Sequence, residues 1–204
     1  MKRALFACML FPLLGYSQPL KMKNTQGGLF SLGVRTTVSA FDGGDSGGIG
    51  TGVGGQFLLQ LSDRVNTSWY LDYITGAENS FVSRKDYHIG WSVMYYLTKK
   101  TNPLLRPFIV AGHCFDKTIL IDNSNRSNSM SRGSSAVQMG GGFHLNLSER
   151  MDLTFGTQYM MHLGTNVHSE IVNDVVSFER RKGAGMEGHL LIQIGINYKI
   201  SDLW

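Results

Sequence analysis

The sequence predicts an all-β fold, an eight-stranded antiparallel up-and-down transmembrane β-barrel. Three observations support this fold class. Apolar and polar residues alternate with a period of two along most of the chain, whereas helical periodicity is nearly absent. Short and long connections alternate between these segments, as they do in a meander. One face of almost every segment is apolar and uncharged along its whole length, which is typical of strands that face lipid.

The alternation locates eight strands. They lie near 29–41, 49–61, 64–75, 86–98, 105–116, 135–147, 150–163 and 185–200. The short connections are "LSDR", "TKKTNP" and "LSER", and the longest ones are 117–133 and 164–185. In a chain that starts on the periplasmic side, this order places every short turn at one end of the barrel and every long loop at the other.

The residue types decide which face meets lipid. The apolar face of the last strand reads Ile192, Ile194 and Ile196, and no apolar face that we assign carries a charge. The polar faces consist mainly of Gly, Gln, Ser, Thr, Asn and His, rather than the Lys and Glu of solvated strands. Such side chains suit a crowded interior, and eight strands leave just enough room for them. The fifth strand, "RPFIVAGHCF", is apolar on both faces, and its register stays open.

The start of the chain is predicted to be a cleaved signal peptide. Lys2 and Arg3 precede a short apolar run, and Gly15 and Ser17 supply the small residues of a cleavage site before Gln18. The run is too short to be a membrane-spanning helix. We expect a signal peptide at 1–17, a periplasmic tail at 18–28, the barrel at 29–200 and a C-terminal tail at 201–204.

Charge and cysteine content exclude other classes. The net charge falls from +4 to about +2 when Lys2 and Arg3 are removed, so nothing indicates a nucleic-acid partner. Cys114 is then the only cysteine, and no disulfide can form within the chain. No later run approaches twenty apolar residues.

The last strand contains "QIGINYKI", with polar Gln193, Gly195, aromatic Tyr198 and hydrophobic Ile200. This resembles the C-terminal sorting signal of small outer-membrane β-barrels of Gram-negative bacteria. After residue 17 the chain is similar to the barrel of outer-membrane protein A-like proteins. The resemblance implies residence in the outer membrane among its lipids and lipopolysaccharide, with the barrel-assembly machinery as partner during biogenesis. One departure is that "SDLW" follows the strand.

Several polar residues are predicted to form a structural network inside the barrel. They are Arg35, Asp72, His88, His162, Glu187 and His189. We expect Arg35 and Asp72 to pair, because an unpaired buried charge is costly. The histidines and Glu187 should lie near the outer end of the barrel, where imidazole and carboxylate offer metal ligation or acid–base chemistry. Their spacing lacks a compact ligand motif, so the sequence predicts no metal, cofactor or catalytic residue.

These patterns predict a non-enzymatic barrel with an envelope-structural or surface-interaction role, in which the long loops contact a partner that the sequence does not identify. The alternatives are a barrel subunit of a secretion, transfer or adhesion assembly, and a lipid A-modifying enzyme. The enzyme reading depends on "HSE" at 168–170, where a loop offers no preorganised nucleophile and base. Nearby, "EIVNDVVSF" alternates enough to prolong the last hairpin above the membrane.

Overall fold

The computed structural model describes residues 27–42, 48–99, 103–172, 175–181 and 188–204. Its strands are β1 Leu29–Asp42, β2 Ile49–Gln60, β3 Val65–Ala77, β4 Val82–Tyr96, β5 Leu105–Asp122, β6 Ser129–Asn146, β7 Met151–Leu163, β8 Asn166–Val172, β9 Val175–Arg181 and β10 Gly188–Asp202. Eight of them close a barrel in the order β1-β10-β7-β6-β5-β4-β3-β2, and β8 and β9 form a separate two-stranded sheet. Every pairing is antiparallel, which confirms the predicted fold class. The predicted signal peptide lies outside the described residues.

The barrel closes where β1 pairs with β10, from Leu29 opposite Asp202 to Asp42 opposite Gly188. On its other side β1 pairs with β2, so the first strand has a neighbour on both edges. In the parts of the chain that the structure describes, no helix is long and apolar enough to cross a membrane.

The large apolar side chains point away from the barrel axis. Val34, Val53 and Leu71 on three successive strands are 66%, 63% and 54% exposed. The inward positions of the same strands are buried and mostly polar. The sorting of residues by face that the alternation predicts is therefore confirmed.

The structure fixes the register of β5. Arg106, Phe108, Val110 and Cys114 point inward, whereas Ile109 and its alternating neighbours point outward. Phe108 and Val110 pack against residues of nearby strands in the half of the lumen nearer the short turns, in a cluster of Leu58, Met94, Tyr96, Phe108 and Val110. The strand is thus apolar on both faces because its inner face supplies part of a small core.

The β5–β6 hairpin has longer strands than the sequence predicts. The Asn and Ser content of residues 117–133 predicts a loop, but only 123–128 lie outside the two strands. Period-two alternation continues through "KTILID", with Leu120 buried between the less buried Ile119 and Ile121. At the tip, the Ser124 hydroxyl and amide donate to Asp122 Oδ1 at 2.7 and 2.8 Å. The hydroxyl bond, and then the amide bond, hold the pKa of the Asp122 carboxyl below its usual range.

The repeated short turns "LSDR" and "LSER" have the same hydrogen bonds. The amides of Leu61 and Ser62 donate to the Val65 carbonyl, and those of Leu147 and Ser148 donate to the Met151 carbonyl. Each serine hydroxyl also accepts from the amide three residues on. Each turn then ends in an arginine that reaches a tyrosine hydroxyl on the outer surface. Arg64 donates to Tyr95 at 2.8 Å, and Arg150 donates to Tyr198 at 3.3 Å.

Candidate functional site in the barrel lumen

Arg35 and Asp72 form a buried ion pair across the lumen wall. Arg35 Nε donates to Asp72 Oδ1 at 2.7 Å, and a second guanidinium nitrogen contacts Oδ2. The two residues lie on β1 and β3, and Gly54 of the intervening β2 is in register with both. A Cβ on Gly54 would collide with the Asp72 carboxylate. The glycine therefore leaves the space through which the pair forms, and the Tyr70 ring lies 3.8 Å from the guanidinium carbon.

A second group of polar residues lies closer to the end of the barrel that carries the long hairpins, on β4 and β5. His88 is directly opposite Asp116 in the strand register, and its Nε2 lies 3.3 Å from Asp116 Oδ1. Asp86 precedes His88 by two residues and therefore shares its inward face. Arg84 Nε lies 3.1 and 3.0 Å from the two oxygens of Asp86, and another of its nitrogens donates to Glu78 at 3.1 Å.

His162 and His189 join this group from β7 and β10. Their Nε2 atoms are 3.1 Å apart, and His162 Nδ1 lies 3.2 Å from Asp116 Oδ2. Arg84 donates to His189 Nε2 at 3.0 Å. A guanidinium can only donate, so this nitrogen of His189 accepts through its lone pair. We call Arg84, Asp86, His88, Asp116, His162 and His189 the outer lumen cluster.

The structure brings the three predicted histidines together, but their carboxylate neighbours are Asp86 and Asp116. Glu187, the predicted carboxylate, lies outside the described residues. The sequence alone does not single out Asp86, because it is the first residue of the predicted fourth strand. It does not single out Asp116, because the predicted fifth strand has no register. The spacing Asp-x-His at 86–88 was the available signal, since it places both side chains on one face of a strand.

The half of the lumen nearer the short turns contains a third network. Asn197 donates to Asp152 and Thr154, at 2.7 Å in both cases, and Gln56 donates to Asn197 at 2.6 Å. Lys199 Nζ donates to Asn146 at 3.0 Å. Two cavities of about 20 Å³ each lie among the inward side chains. Each has room for about one water molecule, so the side chains that line them fill most of the space at these two places in the lumen.

The residues of the predicted assembly signal divide between the two faces of β10. Gln193 and Gly195 point into the lumen, whereas Tyr198 and Ile200 are 36% and 41% exposed on the outer face. Gln193 accepts a hydrogen bond from Gln158 at 3.0 Å. The arrangement presents one aromatic and one aliphatic side chain outward near the end of the strand.

The "HSE" segment lies in β8 and not in a loop. His168 and Ser169 are adjacent strand residues, so their side chains leave opposite faces of the sheet. Ser169 Oγ accepts a hydrogen bond from Asn79 at 3.1 Å. This geometry does not form a nucleophile–base pair.

Comparisons with known proteins support the same architecture. The structure of Neisserial surface protein A (NspA) aligns with 87% of this chain and 99% of its own, at a TM-score of 0.57 and 12% identity. The outer membrane protein OprG from Pseudomonas aeruginosa aligns with 86% and 97%, at a TM-score of 0.50 and 16% identity. No protein-family model and no curated protein matches the chain. Together, the closed barrel and its apolar exterior define an eight-stranded membrane-spanning β-barrel of the kind found in outer membranes.

Proposed function

We propose that this protein is a non-enzymatic outer-membrane barrel that holds extracellular hairpins in place for contact with a partner at the cell surface. The observation that carries the proposal is the combination of a filled lumen with two ordered hairpins at one end of the barrel. A filled lumen favours an anchoring role over transport. The export signal at 1–17 and the assembly signal in β10 belong to the same proposal.

The outer surface supports the membrane location. Tyr73 and Tyr87 pack together, with ring centroids 5.0 Å apart, toward the extracellular end of the apolar band. Lys117 is exposed on the outer face at the same level, in register with Tyr87. At the opposite end lie the tyrosines that bind the turn arginines Arg64 and Arg150. Aromatic residues at both ends of an apolar band are typical of barrels that span a membrane.

The β8–β9 hairpin is docked on the barrel and does not project freely. Val167 and Val176 are 7% exposed and pack on Val82 and Leu120 at the top of the barrel wall. Asn128 at the tip of the β5–β6 hairpin donates to the Val176 carbonyl at 2.7 Å. A surface that is already ordered loses less conformational entropy when it binds, which suits a contact surface.

Cysteine accessibility tests this orientation. In a Cys114→Ala background, a cysteine at Ser127 should react with a membrane-impermeant maleimide on whole cells, because Ser127 is exposed at the hairpin tip. A cysteine at Lys99, in a periplasmic connection, should react only after the outer membrane is permeabilised. A fluorophore on Ile109→Cys should be quenched by nitroxide-labelled lipids, because Ile109 is 54% exposed on the outer face.

Two outcomes of these labelling experiments would contradict the proposal. Reaction at Lys99→Cys on intact cells without reaction at Ser127→Cys would invert the topology. Fluorescence at Ile109→Cys that aqueous iodide quenches and lipid nitroxides do not would remove the membrane location.

A further inference from the structure

We propose that the outer lumen cluster binds a divalent transition-metal ion, with Asp86, His88 and Asp116 as its ligands. The ligand atoms of these three residues lie within 4.8 Å of one another, and all three residues are buried. His88 Nε2 and Asp116 Oδ1 are 3.3 Å apart. Two ligands that each lie about 2.1 Å from a tetrahedral Zn²⁺ are separated by about 3.4 Å, so these atoms already have the spacing that such an ion requires.

The barrel wall fixes this constellation. Asp86 and His88 lie two residues apart on β4, and Asp116 is the direct register partner of His88 on β5. All three therefore project from one patch of a closed sheet, where neighbouring strands hold the backbone on both sides. Sites on paired strands are more precise than sites on loops, because their backbone is already ordered.

The strongest evidence is that the two carboxylate oxygens of Asp116 differ in their contacts with neighbouring polar groups. His162 Nδ1 lies 3.2 Å from Oδ2, and Thr118 and Ser134 approach the same oxygen at 3.2 and 3.4 Å. Within the described parts of the chain, Asp116 Oδ1 has no hydrogen-bond partner, although it is buried. The oxygen that faces His88 is thus the one that keeps its lone pairs available.

His88 shows the same feature. It is fully buried, yet neither of its ring nitrogens has a hydrogen-bond partner among the residues that the structure describes. Its contact with Asp116 is short enough for an ion pair but lacks the geometry of a hydrogen bond. Leaving a buried polar atom without a partner is costly, and a bound cation between His88 and Asp116 would remove that cost.

Neighbouring groups orient the carboxylate ligand on β4. Thr118 Oγ1 donates to Asp86 Oδ1 at 2.7 Å, and the Arg84 guanidinium holds both Asp86 oxygens. Hydrogen bonds of this kind fix metal ligands in most protein sites. The formal charges also favour a cation. Glu78, Asp86 and Asp116 are negative and Arg84 and Arg132 positive, so these five side chains together carry one net negative charge.

The donor set indicates the class of ion. Two carboxylates and an imidazole suit Zn²⁺ and its first-row neighbours, whereas Ca²⁺ and Mg²⁺ prefer sites built only from oxygen. The cluster lies at the level of Lys117, because Asp86 and His88 flank Tyr87, the register partner of Lys117. In the orientation proposed above, the ion would enter from outside the cell. This inference does not depend on the proposed surface role.

Metal titration of the untagged, folded barrel in detergent tests the site. After treatment with a chelator, wild-type protein should take up one equivalent of Zn²⁺ in competition with a chromophoric chelator. His88→Gln and Asp116→Asn should each weaken that binding by at least about tenfold, because each removes a ligand. His144→Gln is the matched control, since His144 is also buried in the lumen but lies at the other end, 3.6 Å from Asp152.

Each outcome of the metal titration supports or overturns the proposed metal site. Absence of stoichiometric uptake by wild-type protein would overturn the proposal, as would uptake that both ligand variants leave unchanged. Migration of the unheated protein on a gel shows which variants fold. If neither ligand variant folds, X-ray absorption at the zinc edge of the wild-type protein must show nitrogen and oxygen ligands together. A spectrum without a nitrogen ligand would also overturn the site.

Discussion

Gly54 shows how a missing side chain positions a charged pair. It lies between Arg35 and Asp72 in the strand register, so their salt bridge passes over the surface of β2 at this residue. Replacing one member of such a pair would leave an uncompensated buried charge. The pair therefore needs both its opposite charges and the empty space above Gly54.

Gly54→Ala should lower the free energy of unfolding by about 1–3 kcal/mol, because the new methyl group would collide with the Asp72 carboxylate and the Leu71 carbonyl. Urea titration of the barrel in detergent micelles measures this effect. Gly55→Ala is the control, since no atom lies within 4 Å of a Cβ at that position on the outer face.

The control should change stability by less than about 1 kcal/mol, in the stabilising direction, because alanine restricts the unfolded chain more than glycine does. Equal losses from the two substitutions would show that backbone freedom, and not the space beside Asp72, explains the glycine at position 54.

The β8–β9 hairpin depends on one apolar face for its position. Val176 is buried against the barrel rim, whereas its neighbour Val175 is 62% exposed. The strand alternation that separates these two valines is the same pattern that sorts lipid-facing from inward residues in the barrel. Docking of this hairpin is therefore a matter of packing, and a single buried charge should disrupt it.

Val176→Asp should release the hairpin and speed trypsin cleavage at Arg180 by about tenfold or more. The reason is that burying an unpaired polar group costs about 1–3 kcal/mol, and 1.4 kcal/mol is a tenfold change in the docking equilibrium. Cleavage rates on proteoliposomes, with the fragment identified by mass, measure the change. The Val175→Asp variant should be cleaved at the wild-type rate. Cleavage of Val175→Asp and Val176→Asp at the same rate would contradict the docked arrangement.

The interior of the barrel holds three polar networks among the residues that the structure describes. Along β10 the outer lumen cluster lies toward one end and the Asn197 network toward the other, with the Arg35–Asp72 pair between them. Two cavities in the lumen have room for about one water molecule each. A continuous aqueous path would require several of these buried groups to lose their partners together.

Purified protein in planar bilayers should therefore show no stepwise ionic conductance in symmetric salt. The measurement needs evidence of insertion, which protection of the barrel from added protease supplies. Reproducible conductance steps whose frequency rises with protein concentration would contradict the filled lumen.

The sequence alone predicts the barrel, because lipid favours apolar residues and the lumen favours polar residues at alternating positions of each strand. Ile192, Ile194 and Ile196 were assigned to the correct face for this reason. The same reasoning fails at 117–133, because the Asn and Ser content of the adjoining ends of β5 and β6 resembles that of a loop. The partners of His88 also escaped prediction, because contacts across strands depend on a register that β5 did not reveal.

Pairing of β1 with β10 has a consequence for biogenesis. The hydrogen bonds that seal the cylinder involve Leu29 at one end of the chain and Asp202 at the other. A translation product that lacks β10 leaves two unpaired strand edges, which hydrocarbon does not tolerate. Ribosomal synthesis must accordingly pass β10 before the barrel becomes stable in a bilayer, and until then its apolar strands need protection from one another.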